Sequence, residues 1–136
     1  MTLTEIDDQL PNGFHDAEVG QFSWNFAEGI ALFDLILWTG TQDSPEIYRR
    51  GRIELQQISF IVLEPPQVRS SDPKPYRSSV GSLQVDGVLT DETNLANFRK
   101  LKQELAPSTE IFSFYVVNWN SFIHVAANDA KLTWTE

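Results

Sequence analysis

Alternating apolar and polar positions predict a chain built mainly of β-strands. Phe22, Trp24 and Phe26 fall on one face of a period-two pattern, and polar residues fall between them. Residues 27–29 break this run, and an apolar stretch at residues 30–39 follows it. Two strands joined by a short connection that contains glycine predict a β-hairpin.

Four further strands complete the predicted sheet. They lie at residues 52–63, 82–89, 111–117 and 122–134. The last strand is interrupted near residues 126–129, which predicts a bulge or kink within it. Because short connections between neighbouring strands favour antiparallel pairing, we expect about six mainly antiparallel strands in a strongly bent sheet. A partly closed barrel is the alternative.

One amphipathic helix is predicted between the fourth and fifth strands. Thr90 or Asp91 caps its N-terminus, and Pro107 ends it. The large apolar residues of this segment recur at helical spacing and form a stripe that faces the core: Leu95, Phe98, Leu101 and Leu105. A shorter helical turn is predicted at residues 3–10, with Thr4 as its N-cap. Strands and helix together predict an α+β fold.

The chain is expected to form a single globular domain over residues 1–136, since this length buries a sizeable core. Residues 65–81 hold four of the seven prolines, a composition that predicts a mobile loop. There is no cysteine, and hence no disulfide and no thiolate metal site. No apolar run is long enough to span a bilayer, and residues 1–25 lack the pattern of a secretory signal. We therefore expect a cytoplasmic protein without a membrane partner.

The acidic charge is confined to one part of the chain. The formal net charge is −9, and residues 1–48 contain nine acids but no lysine or arginine. Residues 49–136 contain ten acids and ten bases. Such an acidic segment repels the phosphates of nucleic acid and suits a basic protein partner or a bound cation. The alternative interpretation is that these acids are solvated and keep the protein soluble.

Residues 14–18 place a histidine and two carboxylates directly after a Pro-Asn-Gly turn. His15, Asp16 and Glu18 are suitable ligands for a divalent cation, or a base with the group that orients it. A strand that begins near Asp16 would put Asp16 and Glu18 on one face and His15 on the other. The structural alternative is that these side chains bond to turn amides or face solvent.

His124 is the only other histidine of the chain. A metal or acid–base site built on His15, Asp16 and His124 requires the first and last strands to adjoin, and the nature of any metal is left open. The alternative is a half-buried histidine that bonds to a backbone carbonyl.

The other candidate binding residues are acids and an aromatic turn. Asp34, Asp43 and Glu46 belong to the acidic segment. Trp119 and Asn120 precede Ser121 in a predicted turn, where they either serve the turn or border a ligand pocket. There is no phosphate-binding glycine loop and no nucleophile elbow, so no cofactor and no catalytic residue is assigned.

Two short motifs carry a family resemblance. Phe14-His15-Asp16-Ala17-Glu18 and Trp119-Asn120-Ser121-Phe122-Ile123, together with Glu64-Pro65-Pro66 after a strand, resemble those of small bacterial domains of unknown function. Some members of this group resemble immunity proteins encoded beside polymorphic toxins. The resemblance implies a protein partner and assigns no catalytic residues.

Three functions therefore stay open. The first is a non-enzymatic binding or interaction protein that uses its acidic N-terminal part. The second is a metal-dependent or acid–base enzyme centred on His15, Asp16 and His124. The third is a binder of small ligands in a pocket of the curved sheet, lined by tryptophan and phenylalanine.

Overall fold

The structure, a computed structural model, describes residues 1–67, 83–88, 98 and 100–135. One helix and eight strands have defined bounds: α1 (Leu3–Gln9), β1 (Ala17–Asn25), β2 (Ile30–Trp38), β3 (Tyr48–Gln56), β4 (Phe60–Leu63), β5 (Leu83–Val88), β6 (Glu110–Val116), β7 (Ser121–Ala127) and β8 (Asp129–Trp134). The strands form one sheet in the order β4-β7-β6-β5-β1-β2-β3-β8, and all neighbours are antiparallel. The expected α+β class with a mainly antiparallel sheet is confirmed.

The expected number of about six strands is too low, because two of the predicted strands each contain a corner. Gln57 has φ 51° and divides the predicted strand at residues 52–63 into β3 and β4. Asn128 divides the predicted last strand into β7 and β8, which pair with different neighbours. The two corners are adjacent, since the Asn128 N–H donates to the carbonyl of Gln56 over 3.2 Å. A kink was expected near residues 126–129, but not a change of strand partner.

The chain joins the two ends of the sheet at these corners. β3 and β4 are six positions apart in the strand order, which would separate them by about 29 Å in a flat sheet. Residues 57–59 alone connect them, and so short a link reaches at most about 14 Å. The sheet is therefore strongly curved. Its hydrogen bonding is not closed, because β4 and β8 are edge strands that do not pair with each other, which corrects the alternative of a partly closed barrel.

The concave face of the sheet carries the hydrophobic core. Alternate residues of β2 are buried there, and Phe33 of this strand lies 6.0 Å from the ring of Phe114 on β6. Helix α1 packs Leu3 and Ile6 into the same core and contacts β6 and β8. The Thr4 N–H of α1 also donates to the carboxylate of Glu110, the first residue of β6. One end of the curved sheet is thus covered by α1.

Helix α1 confirms the short helix predicted near the N-terminus, with one correction. Its N-cap is Thr2 and not Thr4, because Thr2 forms a capping box with Glu5. This bounded helix precedes the first strand, whereas the main helix was expected between the fourth and fifth strands. No helix in the described part of the chain is long and apolar enough to cross a membrane.

Most of the predicted main helix lies outside the described residues. Phe98 and residues 100–104 are helical and precede β6, the sixth strand. Phe98 packs on Phe60, with ring centroids 5.6 Å apart, whereas Leu101 is 47% exposed, so its predicted place facing the core is wrong. Of the predicted loop at residues 65–81, the structure describes residues 65–67, which form neither helix nor strand.

Candidate functional site

Polar atoms of the turn at residues 11–16, which follows α1, form hydrogen bonds to other elements of the fold. The side-chain amide of Asn12 donates to the carbonyls of Trp38 over 3.1 Å and Gly40 over 2.7 Å. The Phe14 N–H donates to Oδ1 of Asp7 over 2.7 Å. Burial raises the pKa of the Asp7 carboxyl, and the hydrogen bond from Phe14 opposes this shift. The turn is therefore tied to α1 on one side and to the end of β2 on the other.

Phe14 and His15, which are neighbours in sequence, have opposite surroundings. Phe14 is completely buried, with ring centroids 5.7 Å from Phe112 and 5.3 Å from Phe114. The side chain of His15 is 60% exposed, and its Nε2 lies 3.4 Å from Oδ2 of Asp16. Asp16 has φ 55° and precedes β1, so the expected start of the strand at Asp16 is one residue too early. A short polar residue suits this left-handed conformation.

His124 is the centre of a buried polar cluster. The ring of His124 is 2% exposed, and its Nδ1 lies 2.7 Å from Oγ of Ser113. Its Nε2 lies 3.4 Å from Oε2 of Glu64, whose other carboxylate oxygen accepts the Phe122 N–H over 3.0 Å. The ring of Phe98 packs edge-on at 4.7 Å. We call Ser113, His124 and Glu64 the histidine cluster.

Strand register produces the histidine cluster. Ser113 on β6 lies directly opposite His124 on β7, and Val62 on β4 lies opposite His124 on its other side. Glu64 follows Val62 by two residues and therefore lies on the same face. His124 could be singled out from the sequence as one of two histidines, but nothing in the sequence connected it with Ser113 or Glu64. The signal that was available is a lone serine within the otherwise apolar run of β6.

A serine, a histidine and a carboxylate form the set of groups that activates a nucleophile in many hydrolases. In the histidine cluster, however, Ser113 has no exposed surface. A buried network whose members satisfy one another fixes the pairing of strands and specifies a unique core. The arrangement therefore acts as a structural link between β4, β6 and β7.

His15 and His124 have different partners and do not contact each other in the described residues. His15 lies beside Asp16 and the ring of Trp38, whereas His124 lies between Ser113 and Glu64. Within residues 1–67, 83–88, 98 and 100–135, no group of three or more histidine, aspartate or glutamate side chains is placed to hold a metal ion. A site built on His15, Asp16 and His124 therefore finds no support in this geometry.

The candidate acids lie in different settings. Asp34 on β2 holds Arg52 of β3 through two hydrogen bonds, Nε to Oδ1 over 2.7 Å and Nη2 to Oδ2 over 3.3 Å. Asp43 and Glu46 lie in the exposed connection between β2 and β3. Glu18 lies on β1, with its backbone opposite Ile36. The charge of Asp34 is therefore largely balanced, and Asp43 and Glu46 present theirs to solvent.

An apolar pocket lies beside the turn between β6 and β7, at the end of β6 opposite to α1. Its volume is about 110 Å³, and the lining residues that the structure describes are all apolar: Val19, Phe22, Phe33, Ile61, Leu63, Trp119 and Ile123. Trp119 thus lies in the wall of this pocket, and its role in binding stays a prediction. Asn120 has φ 49° and accepts the hydroxyl of Tyr115 over 2.7 Å, so it shapes the turn.

Comparison with known proteins identifies no relative. No protein-family model matches the chain, no curated protein matches it, and no solved structure matches it. The resemblance of residues 14–18 and 119–123 to small bacterial domains therefore stays a prediction. The contacts of the described residues carry the functional conclusion.

Proposed function

We propose that the protein is a non-enzymatic binding protein that holds a small apolar group in the apolar pocket beside the turn between β6 and β7. The observation that carries the proposal is the chemistry of this pocket, whose described lining residues are all aliphatic or aromatic. Such a pocket favours ligands that bury apolar surface on binding, and it disfavours polar ligands, whose hydrogen bonds to water would not be replaced.

The size of the pocket narrows the class of ligand. Its volume is about 110 Å³, and an engineered apolar cavity of about 150 Å³ binds benzene. A single aromatic ring or a short branched alkyl group therefore fits, alone or as the end of a larger molecule. A sugar does not fit this chemistry, because each buried hydroxyl would lose its hydrogen bonds to water.

Two lining residues of the pocket are exposed to solvent. Leu63 is 54% exposed at the pocket rim, and Phe22 is also exposed. Leu63 is the last residue of β4, and Trp119 lies in the turn between β6 and β7. Among the described residues, the rim is thus formed by a strand end and a turn. The indole of Trp119 lies in the pocket wall and supplies an optical signal.

Toluene and glucose are matched probes for this site. We expect toluene to change tryptophan fluorescence with saturation and to raise the melting temperature by mass action, and glucose to do neither. Leu63→Arg places a charge at the exposed rim and should abolish both effects of toluene. Val117→Arg makes the same change at an exposed residue outside the pocket and should leave them intact.

A further variant assigns the signal to the pocket. Trp119→Phe should remove most of the fluorescence change but keep the rise in melting temperature. The proposal fails if toluene gives no saturable response, or if Leu63→Arg and Val117→Arg respond to it alike.

The acidic segment supports a second candidate, recognition of a basic protein. Residues 41–47 are exposed throughout and contain Asp43 and Glu46. Two backbone hydrogen bonds stabilise this loop at residues 41–47: the Thr41 N–H donates to the Ser44 carbonyl, and the Ser44 N–H donates to the Thr41 carbonyl. An acidic surface speeds encounter with a basic partner and helps to select it. A basic toxin, as the resemblance to immunity proteins implies, is one partner of this kind.

A decalysine peptide is a direct probe for this second candidate. We expect binding at ~20 mM salt that is lost at ~500 mM salt, since exposed charges are screened. The double variant Asp43→Asn/Glu46→Gln should weaken it, whereas Glu28→Gln/Glu54→Gln removes two charges elsewhere and should change it less. If both double variants weaken binding of the peptide equally, only the net charge of the protein matters, and recognition of a basic partner by residues 41–47 is disproved.

A further inference from the structure

The edge strand β8 and helix α1 border a groove that is separate from the apolar pocket. Its volume is about 450 Å³, which lies within the range of about 300–1,000 Å³ typical of ligand sites. Leu132 and Trp134 of β8 line one side of this groove. Ile6 and Gln9 of α1, with Leu10 directly after them, line the other side. We call it the edge groove.

Every second residue of β8 turns its backbone away from the neighbouring strand β3. The N–H of Thr135, directly after β8, donates to the carbonyl of Arg50 over 3.0 Å. Because the direction of the backbone groups alternates along an antiparallel strand, the odd-numbered residues of β8 face β3 and the even-numbered residues face the open edge. Ala130 agrees with this direction, since its N–H donates to the carbonyl of Met1 over 2.6 Å.

Leu132 and Trp134 combine an open backbone edge with apolar side chains in the groove. Among the described residues, their outward N–H and carbonyl groups have no hydrogen-bond partner. The two residues lie opposite the buried Ile53 and Gly51 of β3, so their side chains lie on the core side of the sheet, where they line the edge groove. An extended chain can pair with such an edge while its alternate side chains enter the groove.

The Met1 carbonyl already pairs with this edge at one position. It accepts the N–H of Ala130, the first of the outward-facing residues of β8, and leaves the next two positions open. The other edge strand, β4, is less suited to pairing. It has four residues and is followed by Pro65 and Pro66, which lack an N–H group and limit the addition of a strand.

The charged groups at the edge groove are balanced. The carboxylate of Asp129 pairs with the amine of the first residue, and Lys131 lies opposite Glu54 of β3. The guanidinium of Arg49 stacks 3.9 Å from the ring of Trp134 and is not among the residues that line the groove. Since neither sign of charge dominates the lining, the open edge and the apolar side chains select the ligand.

We propose that the edge groove binds an extended peptide segment of a partner protein, which adds to β8 as a further antiparallel strand. The backbone groups of Leu132 and Trp134 pair with the segment. Residues of the segment that lie directly opposite these two carry their side chains on the same face of the sheet, and so they enter the groove toward α1. The segment therefore has apolar residues at alternate positions and no proline at those that pair.

Amide hydrogen exchange of the whole chain, with and without the acetylated and amidated peptide KTVTVTK, tests the proposal. In the free protein we expect fast exchange at Leu132 and Trp134 and slow exchange at Lys131 and Thr133, whose N–H groups face β3. The peptide should slow exchange at Leu132 and Trp134 with saturation and leave exchange in β4 unchanged.

Two modified peptides separate backbone pairing from apolar attraction. N-methylation of the two valines removes the donors that face β8 when the valine side chains lie in the groove. It should weaken binding about tenfold or more, because two hydrogen bonds are lost. N-methylation of two threonines removes donors that face away from β8 and should change the affinity by about twofold at most.

Two variants of the protein locate the site. Gln9→Trp fills the edge groove from α1 without a change in β8 and should abolish the effect of the peptide. Gln21→Trp makes the same change at an exposed residue of β1 outside the groove and should leave the effect intact. Leu63→Arg, in the apolar pocket, should also leave it intact, so the edge groove and the proposed apolar site fail or succeed independently.

The outcomes separate strand addition from other uses of this edge. Unchanged exchange at Leu132 and Trp134, equal affinity of the two methylated peptides, or equal effects of the two tryptophan variants would overturn the proposal. Protection of β4 in place of β8 would also overturn it. Exchange at Leu132 and Trp134 that slows with protein concentration in the absence of the peptide would assign the edge to a second copy of the chain and would likewise overturn it.

Discussion

The turn at residues 11–16 and the strand β7 each present a histidine close to a phenylalanine, but the two regions bury opposite members of the pair. In the turn, Phe14 is completely buried and His15 is exposed. In β7, His124 is buried and Phe122 is only half-buried. From the residue type alone, both histidines are equally suitable as metal ligands or as general bases. Their positions in the fold give one a place at the surface and the other a place in a polar network.

The difference comes from how each region meets the sheet. The start of the turn is shaped by groups that are near in sequence, since Asp7 accepts from Phe14 and Gly13 adopts φ 55°, and Asn12 then ties the turn to the end of β2. The surroundings of His124 come from strand pairing, since Ser113 lies on the neighbouring strand β6 and Glu64 follows β4, which is far away in sequence. A local motif can therefore be interpreted from the sequence, whereas a cross-strand cluster depends on register.

Removal of the Phe14 ring should have the largest effect. Phe14→Ala deletes a fully buried ring that contacts Phe112 and Phe114. We expect a loss of about 3–5 kcal/mol in the free energy of unfolding, typical of such cavities. Urea denaturation of both proteins measures it. A loss below about 1 kcal/mol would mean that the turn is not anchored in the core.

Truncation of the two histidines sharpens the comparison. His124→Ala leaves Ser113 without its partner in the core and creates a cavity. We expect a loss of roughly 2–4 kcal/mol in the free energy of unfolding. His15→Ala, the matched control, should change it by less than about 0.5 kcal/mol because the residue is largely exposed. Equal losses in urea denaturation would contradict the assigned environments.

Replacement of glycine by alanine should lower the free energy of unfolding moderately at Gly13 in the turn and hardly at all at Gly20 in the sheet. Gly13→Ala puts a Cβ at φ 55° and 2.5 Å from Oδ1 of Asp7, which is bound to Phe14. We expect a loss of about 1–2 kcal/mol. Gly20→Ala has open space for its Cβ and should stay within about 0.5 kcal/mol. Thermal unfolding compares the two, and a larger loss at Gly20 would be inconsistent with this geometry.

The smallest expected effect concerns Asp7 and pH. Because burial raises its pKa in the folded protein above the ordinary value of 3.8, the folded state binds this proton more tightly than the unfolded state. The stability from this group is therefore complete below pH 3.8 and is lost as pH rises through the folded pKa. Asp7→Asn keeps the acceptor for Phe14 but does not titrate.

Urea denaturation of both proteins between about pH 3 and pH 7 measures this effect. The free energy of unfolding of the wild type minus that of Asp7→Asn should fall as pH rises from about 4. A difference that instead rises with pH would show that the hydrogen bond from Phe14 outweighs burial at this carboxyl.

Much of the fold could be predicted because its signals are local. The alternation at Phe22, Trp24 and Phe26 predicted β1, and a break at residues 27–29 predicted its hairpin with β2. The strand number could not be predicted in the same way. Gln57 and Asn128 interrupt two apolar runs at corners that exist only because the runs lie side by side and bend together.

The candidate site was predictable only in part. Trp119 was singled out as an aromatic candidate and lines the apolar pocket. The ion pair of Asp34 and Arg52 was not predicted, since only Asp34 was a candidate. These two residues are 18 positions apart and meet because β2 and β3 align them directly.

The sequence by itself determined the α+β class, the capped turns and the confinement of net charge to residues 1–48, because these follow from propensity, periodicity and composition. Only the tertiary structure decided that His15 and His124 take separate partners and that Trp119 lines an apolar pocket. The physical reason is register. A register shift of one residue moves every side chain of a strand to the other face of the sheet. The register of each strand is determined by its pairing with its neighbours in the folded sheet.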